Sequence, residues 1–142
     1  MARRTARPIA PIDQVRATLD YAVKTVPKQK LFLGIAMYAY DWTYFPDGKT
    51  KGTAYSQNRA IQIATQHWAP VQYDGRSASP HFVYTDSSGH KHEVWFEDAR
   101  SIIKKYRLVH EYGIRGMGGW KLGLSFPQAE EMLPRMFSIV KP

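Results

Sequence analysis

No cysteine occurs among the 142 residues, which excludes a disulfide framework, a thiol nucleophile and any thiolate metal site. Long hydrophobic runs are also missing. The most continuous apolar stretch, residues 31–40, is about half of the roughly 20 residues that a membrane-spanning helix needs. Acidic residues are scarce, with 12 Asp+Glu against 20 Lys+Arg and a formal charge of +8. The opening MARRTARPIAPID is basic but has no apolar core, so it does not read as a secretory signal. On that reading the chain is expected to stay in the compartment where it is made. What is present is a 44% hydrophobic composition, enough to build one domain core, on a chain too short for two full domains.

A surplus of basic residues invites a nucleic-acid reading. The cations are scattered, however: Arg3, Arg4 and Arg7, then Lys24, Lys28 and Lys30, then Lys104, Lys105 and Arg107. Most aromatics sit inside strand-like apolar segments. Nucleic-acid binding is therefore an alternative and not the leading expectation.

Residues 1–10 show little periodicity and read as a disordered tail or a broken edge. From Ile12, the positions Val15, Leu19, Ala22, Val23 and Val26 keep helical spacing, with Pro11 acceptable at the start and Pro27 as a stop. Residues 31–40 then read as a parallel strand buried on both faces. The breaker-rich Tyr44-Phe45-Pro46-Asp47-Gly48 reads as a loop, and Ser56 as the N-cap of a helix whose apolar face is Ala60, Ile61, Ile63 and Ala64. Residues 81–85 and 92–96 read as a hairpin turning at Asp86-Ser87-Ser88-Gly89. Asp98 is the expected N-cap of a further helix, with Ile102, Ile103, Tyr106, Leu108 and Val109 buried, Lys104, Lys105 and Arg107 in solvent, and Gly113 at the stop. A glycine-rich strand, residues 114–120, and a last helix at 128–137 disturbed by Pro134 complete the order. The pattern is α/β, interrupted by a small α+β insertion.

Three segments carry a resemblance: LFLGIAMYAYDW (31–42), SPHFVYTDSSGHKHEVWFEDARS (79–101) and YGIRGMGGWKLGLSFPQ (112–128). In this order and spacing they resemble the C-terminal part of a glycoside hydrolase family 18 catalytic domain, and within it the chitinase-like peptidoglycan hydrolases of spore formers. The resemblance implies a (β/α)₈ TIM barrel with an α+β insertion near its C-terminal end. It makes residues 31–40 the seventh barrel strand and residues 114–120 the eighth. Residues 11–142 would then be a partial barrel, its last two strands and their helices, interrupted by an insertion at about 44–97.

A whole barrel of this kind takes about 250 residues, so the resemblance leaves six strands outside these 142 residues. The family's D-x-x-D-x-D-x-E signature does not occur here, and no pair of the twelve acidic residues rebuilds it. Family members use substrate-assisted retaining hydrolysis: a glutamic acid protonates the glycosidic oxygen, the 2-acetamido carbonyl attacks the anomeric carbon, and an aspartate orients that acetamide. All those groups belong to the absent signature. No catalytic residue, cofactor or metal is expected in this chain, which by itself should be catalytically silent.

The implied partner is an N-acetylhexosamine oligo- or polysaccharide, chitin or peptidoglycan, and the implied setting a spore or cell envelope. No membrane partner is expected. Trp120 matches the family tryptophan beneath the sugar at the cleavage subsite, where an indole packs against an apolar C–H face. Tyr38 and Tyr40 share strand parity with Gly34 and Ala36, which places them in a substrate-lining row. Asp41 and Trp42 are the remaining candidate substrate contacts. Three readings follow: the terminal piece of a glycosidase completed by strands from elsewhere, a non-catalytic carbohydrate-binding remnant, and a truncated product whose unpaired strand edges favour self-association.

Other features read as structural. His81, His90 and His92 read as solvated hairpin histidines and not as a metal site. Glu97-Asp98 reads as a helix start and not as a catalytic pair. Gly116-Met117-Gly118-Gly119 lacks the spacing of a phosphate loop.

Overall fold

Pro11 precedes the first helix, α1 (Ile12–Thr25), and Pro27 precedes a single 3-10 turn at Lys28–Lys30, so two prolines frame the entry to the first strand. The computed structural model describes residues 5–121, 123–124 and 126–140. From the 3-10 turn the chain enters β1 (Phe32–Ala36), then β2 (Tyr38–Tyr44), β3 (Thr50–Ser56), α2 (Gln57–Gln66), β4 (Gln72–Asp74), β5 (Ser79–Thr85), β6 (Lys91–Trp95), α3 (Ala99–Tyr112), β7 (Gly116–Trp120) and α4 (Pro127–Met136). Among the described residues no helix is long and apolar enough to cross a membrane.

The strands form two sheets. β1 pairs in parallel with β7, from Phe32 opposite Gly116 to Ala36 opposite Trp120. The other five make an antiparallel sheet in the order β3-β2-β6-β5-β4. The apolar run expected as one strand is thus two. The parallel ladder runs out at Trp120, whose carbonyl accepts a last bond from the Met37 N–H at 2.8 Å. From Tyr38 onward the backbone pairs with β3 and β6 instead. The antiparallel sheet therefore begins at Tyr38, ahead of the expected boundary at about 44. Nor is β1 buried on both faces: Ile35 is buried, while Phe32 is 61% exposed and a Cβ built on Gly34 would meet open space.

The breaker-rich segment after Tyr44 is the tight turn between β2 and β3. The Phe45 N–H donates to the Lys49 carbonyl, and Gly48 takes the positive φ of 78° that the turn requires. β3 and β4 were not foreseen. Both are edge strands whose side chains are mostly half-buried or exposed, so neither carries a clear apolar alternation. The two other helix starts behave as read. The Ser56 side chain accepts from the Arg59 N–H, and Asp98 forms a capping box with Ser101. Gly113 closes α3 with φ 61°.

Three packed clusters hold these pieces. Ala39, Phe82, Val94 and Phe96 on the antiparallel sheet meet Ala60, Ile63 and Ala64 of α2, while Ile61 stays 47% exposed. Ile35 of β1 packs with Ile102 and Tyr106 of α3 and with Phe126 and Ala129 at the start of α4. Leu108 and Val109, further along α3, join Leu19 of α1 and Ile114. α3 is thus the shared strut, and each such aliphatic or aromatic side chain contributes about 1.5–3 kcal/mol on burial.

α3 also corrects an expectation. Lys105, expected in solvent, is 2% exposed and donates to the Glu97 carboxylate, itself 2% exposed. Lys105 lies on the helical row of Ser101, Ile102 and Val109, so its position on the stripe was readable but its charge masked it. Burial pushes the Glu97 carboxyl above its ordinary range, against the pull of the Lys105 ammonium. Removing the cation strands a buried carboxylate. Lys105→Ala is expected to lose about 3–5 kcal/mol in urea unfolding, and the Glu97→Gln/Lys105→Met pair to recover most of it. A native carboxyl with a raised pKa binds more protons than the unfolded one, so the Lys105→Ala deficit should shrink as pH falls. A deficit below about 1 kcal/mol, or one that grows in acid, contradicts this account.

Candidate functional site

Side-chain alternation carries one row of residues across the junction between the sheets. Gly34 and Ala36 of β1 share parity with Tyr38, Tyr40 and Trp42 of β2, and odd-numbered Ile35, Ala39 and Asp41 are buried on the other side. Trp120, at the end of β7, stands beside Ala36 in the parallel ladder and is 69% exposed. Gly34 is paired with Gly118, and a Cβ at either position would meet nothing within 4 Å. The face above this pair is open, so the glycines leave room over the sheet.

Two adjoining hollows follow this row. One, of about 250 Å³, is walled by Ile9, Ala10, Gly34, Ala36, Tyr38 and Trp120. The next, about 260 Å³, lies between Arg7, Pro8 and Ile9 on one side and Tyr38, Tyr40 and Trp42 on the other. Residues 5–10, expected as part of a tail, have no regular secondary structure but are tied down at both ends. The Ala6 N–H donates to the Tyr44 hydroxyl at 3.4 Å, and the Ile12 N–H to the Ser77 carbonyl at 2.9 Å. Residues 1–4 of the expected tail lie outside the described residues.

Within the second hollow, Tyr40 and Trp42 rings lie 4.9 Å apart. Trp42 is 7% exposed, and its buried indole Nε1 has no hydrogen-bond partner among the described residues. The Tyr40 ring lies across Gly52, opposite Trp42 on β3. Further along the same face Glu93 is held by two donors, the Trp95 Nε1 at 2.8 Å and the Tyr44 hydroxyl at 3.0 Å. Burial, then the Glu93 bond, raise the Tyr44 phenol above its ordinary value. Sequence reasoning missed Glu93, although its period-two offset from Trp95 places both on this face.

Asp41 corrects an expectation. It is 1% exposed and sits on the opposite face, where its carboxylate accepts from the Tyr84 hydroxyl at 2.8 Å and faces the His92 Nδ1 at 2.8 Å. It does not reach the aromatic row. His92, read as solvated, is also buried, with its Nε2 3.3 Å from Asp86, and the Tyr84 ring stacks on it at 4.4 Å. Burial and the Asp41 carboxylate push the Tyr84 phenol upward. Asp86 is held at about 2, first by the His90 backbone N–H and then by His92, His90 and Ser88. Among the described residues no group of three metal-ligating side chains converges. The network instead fixes the β5–β6 hairpin behind the aromatic face.

Comparison with known proteins places this geometry in context. The family model described as glycosyl hydrolases family 18 matches residues 2–124. The cortical fragment-lytic enzyme of Bacillus subtilis is 46% identical over 134 residues, covering 94% of this chain and 31% of its own length. The crystal structure of the spore cortex-lytic enzyme SleL of Bacillus cereus superposes with a TM-score of 0.91 at 41% identity, over 97% of this chain and 32% of that one. A chitinase from Chromobacterium violaceum superposes with a TM-score of 0.80 at 32% identity, over 87% of this chain and 38% of that one. The chain thus spans about a third of the length of the curated relatives it matches.

The Tyr40–Gly52 contact gives a direct handle on the row. A Cβ at Gly52 would overlap the Tyr40 ring, the mobile end of that side chain, so Gly52→Ala is expected to swing the ring off Trp42 while the protein still folds. The near-UV circular dichroism of the Tyr40–Trp42 pair should change, whereas Gly34→Ala, which fills open space, should leave it unaltered. An unchanged near-UV spectrum for Gly52→Ala contradicts the packing described.

Proposed function

Because the chain belongs to the glycosyl hydrolases of family 18, we propose that it forms part of a saccharide-binding surface for N-acetylhexosamine polymers, chitin or peptidoglycan, with Trp120, Tyr38, Tyr40 and Trp42 as its sugar contacts. The observation that carries this reading is the aromatic row Tyr38, Tyr40 and Trp42 on β2, which continues the open face of Gly34 and Ala36 on β1, with Trp120 exposed beside it. Apolar sugar faces stack on such rings while phenol and indole donors meet hydroxyl and acetamide oxygens.

On the same reading, β1 and β7 are neighbouring strands of a (β/α)₈ barrel. Their parallel pairing, the helices packed on one face, and the glycine-lined open face on the other support this. Trp120 and Tyr38 then stand at the C-terminal ends of barrel strands, where sites of that fold are built. The remaining strands would come from another polypeptide or from sequence beyond these 142 residues.

Hydrolysis needs a carboxylic acid within reach of the glycosidic oxygen. The signature that carries it, D-x-x-D-x-D-x-E, is not in this sequence. The carboxylates nearest the row are already engaged: Glu93 by Tyr44 and Trp95, Asp41 by Tyr84 and His92 on the far face. That favours binding without cleavage by this chain alone. Cleavage would belong to the chain when joined to strands bearing the acid.

Trp120→Ala should weaken binding of chitotetraose by about two- to tenfold, since a stacked aromatic is worth about 0.5–1.5 kcal/mol beyond its area. Stability should change by less than about 0.5 kcal/mol because the side chain is mostly exposed. Isothermal titration calorimetry checks the first and urea unfolding the second. Undiminished binding by Trp120→Ala would sink the assignment, and reducing-sugar release by the 142-residue chain would sink the claim of binding without cleavage.

A further inference from the structure

The hollow bounded by Arg7, Pro8, Ile9, Tyr38, Tyr40 and Trp42 is unbalanced in hydrogen-bonding character. Among the described residues Arg7 makes no ion pair or side-chain hydrogen bond, and the phenols of Tyr38 and Tyr40 make none either. The Trp42 Nε1 is a buried donor without an acceptor. An indole N–H and a guanidinium can only donate. The carboxylate further along the face, Glu93, is already taken up by Tyr44 and Trp95 and supplies nothing to them. The cleft therefore calls for a ligand rich in acceptors.

Arg7 is also held in place by its neighbours. It lies between the Ala6 bond to Tyr44 and the Ile12 bond to Ser77, so the segment that carries it is pinned across the aromatic face at both ends. A guanidinium there presents a planar fork that matches a carboxylate, beside apolar walls that strengthen the interaction.

We propose that Arg7 makes this cleft selective for an N-acetylhexosamine chain bearing a carboxylate, as on a lactyl or peptide substituent, over a neutral one. This rests on the saccharide-binding reading above. In it the aromatic row holds the sugar ring, the unengaged Tyr38 and Tyr40 phenols donate to acetamide or carboxylate oxygens, and Arg7 pairs with the charge. A neutral chitin chain keeps the stacking and loses the ion pair.

Calorimetric titration of the chain at low salt tests this with three probes. They are the disaccharide N-acetylglucosaminyl-N-acetylmuramic acid, the same disaccharide with its carboxyl converted to an amide, and diacetylchitobiose. The acid should bind about tenfold more tightly than its amide, the difference expected of one charge-assisted pair. Arg7→Ala should abolish that preference, so that the acid and its amide bind alike. Lys24→Ala, which removes another exposed cation, on α1, should retain it and so separate Arg7 from the general basic charge. Equal binding of acid and amide, or a preference that survives Arg7→Ala, overturns the assignment of Arg7 and leaves the saccharide reading standing if diacetylchitobiose binds. Failure of all three probes to bind overturns both.

Discussion

Everything in the site depends on strand alternation surviving a change of sheet. At Met37 the backbone gives its last bond to Trp120 in the parallel ladder and then turns to antiparallel partners. No residue is inserted or deleted at that point, so even-numbered positions stay on the open side from Gly34 to Trp42. A one-residue bulge there would send Tyr38, Tyr40 and Trp42 into the α2 core and bring Ala39 and Asp41 out. The aromatic row, the buried Asp41–His92 network behind it and the fit of α2 against Ala39 all follow from that uninterrupted period of two.

The α3 helix plays the matching role on the other side. One of its rows meets Ile35 and α4, another meets α1, and its first turn is fixed by the Asp98–Ser101 capping box next to the buried Glu97–Lys105 pair. The pair joins the end of the antiparallel sheet to the helix that backs the parallel one. The two sheets are thereby coupled through charge as well as through packing, in a region where an unpaired charge is costly.

How much of this was legible in the sequence depended on whether a local signal existed. Ser56, Asp98 and Gly113 announced helix ends because capping is a local hydrogen-bonding requirement, and the Asp86–Gly89 turn announced its hairpin. β3 and β4 gave no such signal, since half-exposed edge strands need no apolar alternation. The split of residues 31–40 was hidden because both halves are apolar and only the end of β7 decides where pairing changes. In the site, Tyr38, Tyr40, Trp42 and Trp120 were readable from parity and from family resemblance. Asp41 was misplaced because adjacency in sequence was weighed above alternation, and His92 because its partners Asp41 and Asp86 are brought to it by sheet register. Arg7 was counted only as charge, since nothing local ties residues 5–10 to Tyr44.

The central claim is that one aromatic row, spanning two sheets, receives the sugar. The chain's four tryptophans offer a direct test, because Trp42 and Trp120 belong to the row, Trp95 donates its Nε1 to Glu93, and Trp68 is 93% exposed just past the C-terminal end of α2. Titration with chitotetraose, followed through the four indole N–H signals by ¹⁵N–¹H NMR, should move the Trp42 and Trp120 resonances together and leave that of Trp68 in place. A titration in which Trp68 moves alone, or in which no indole signal moves at millimolar sugar, would contradict the account.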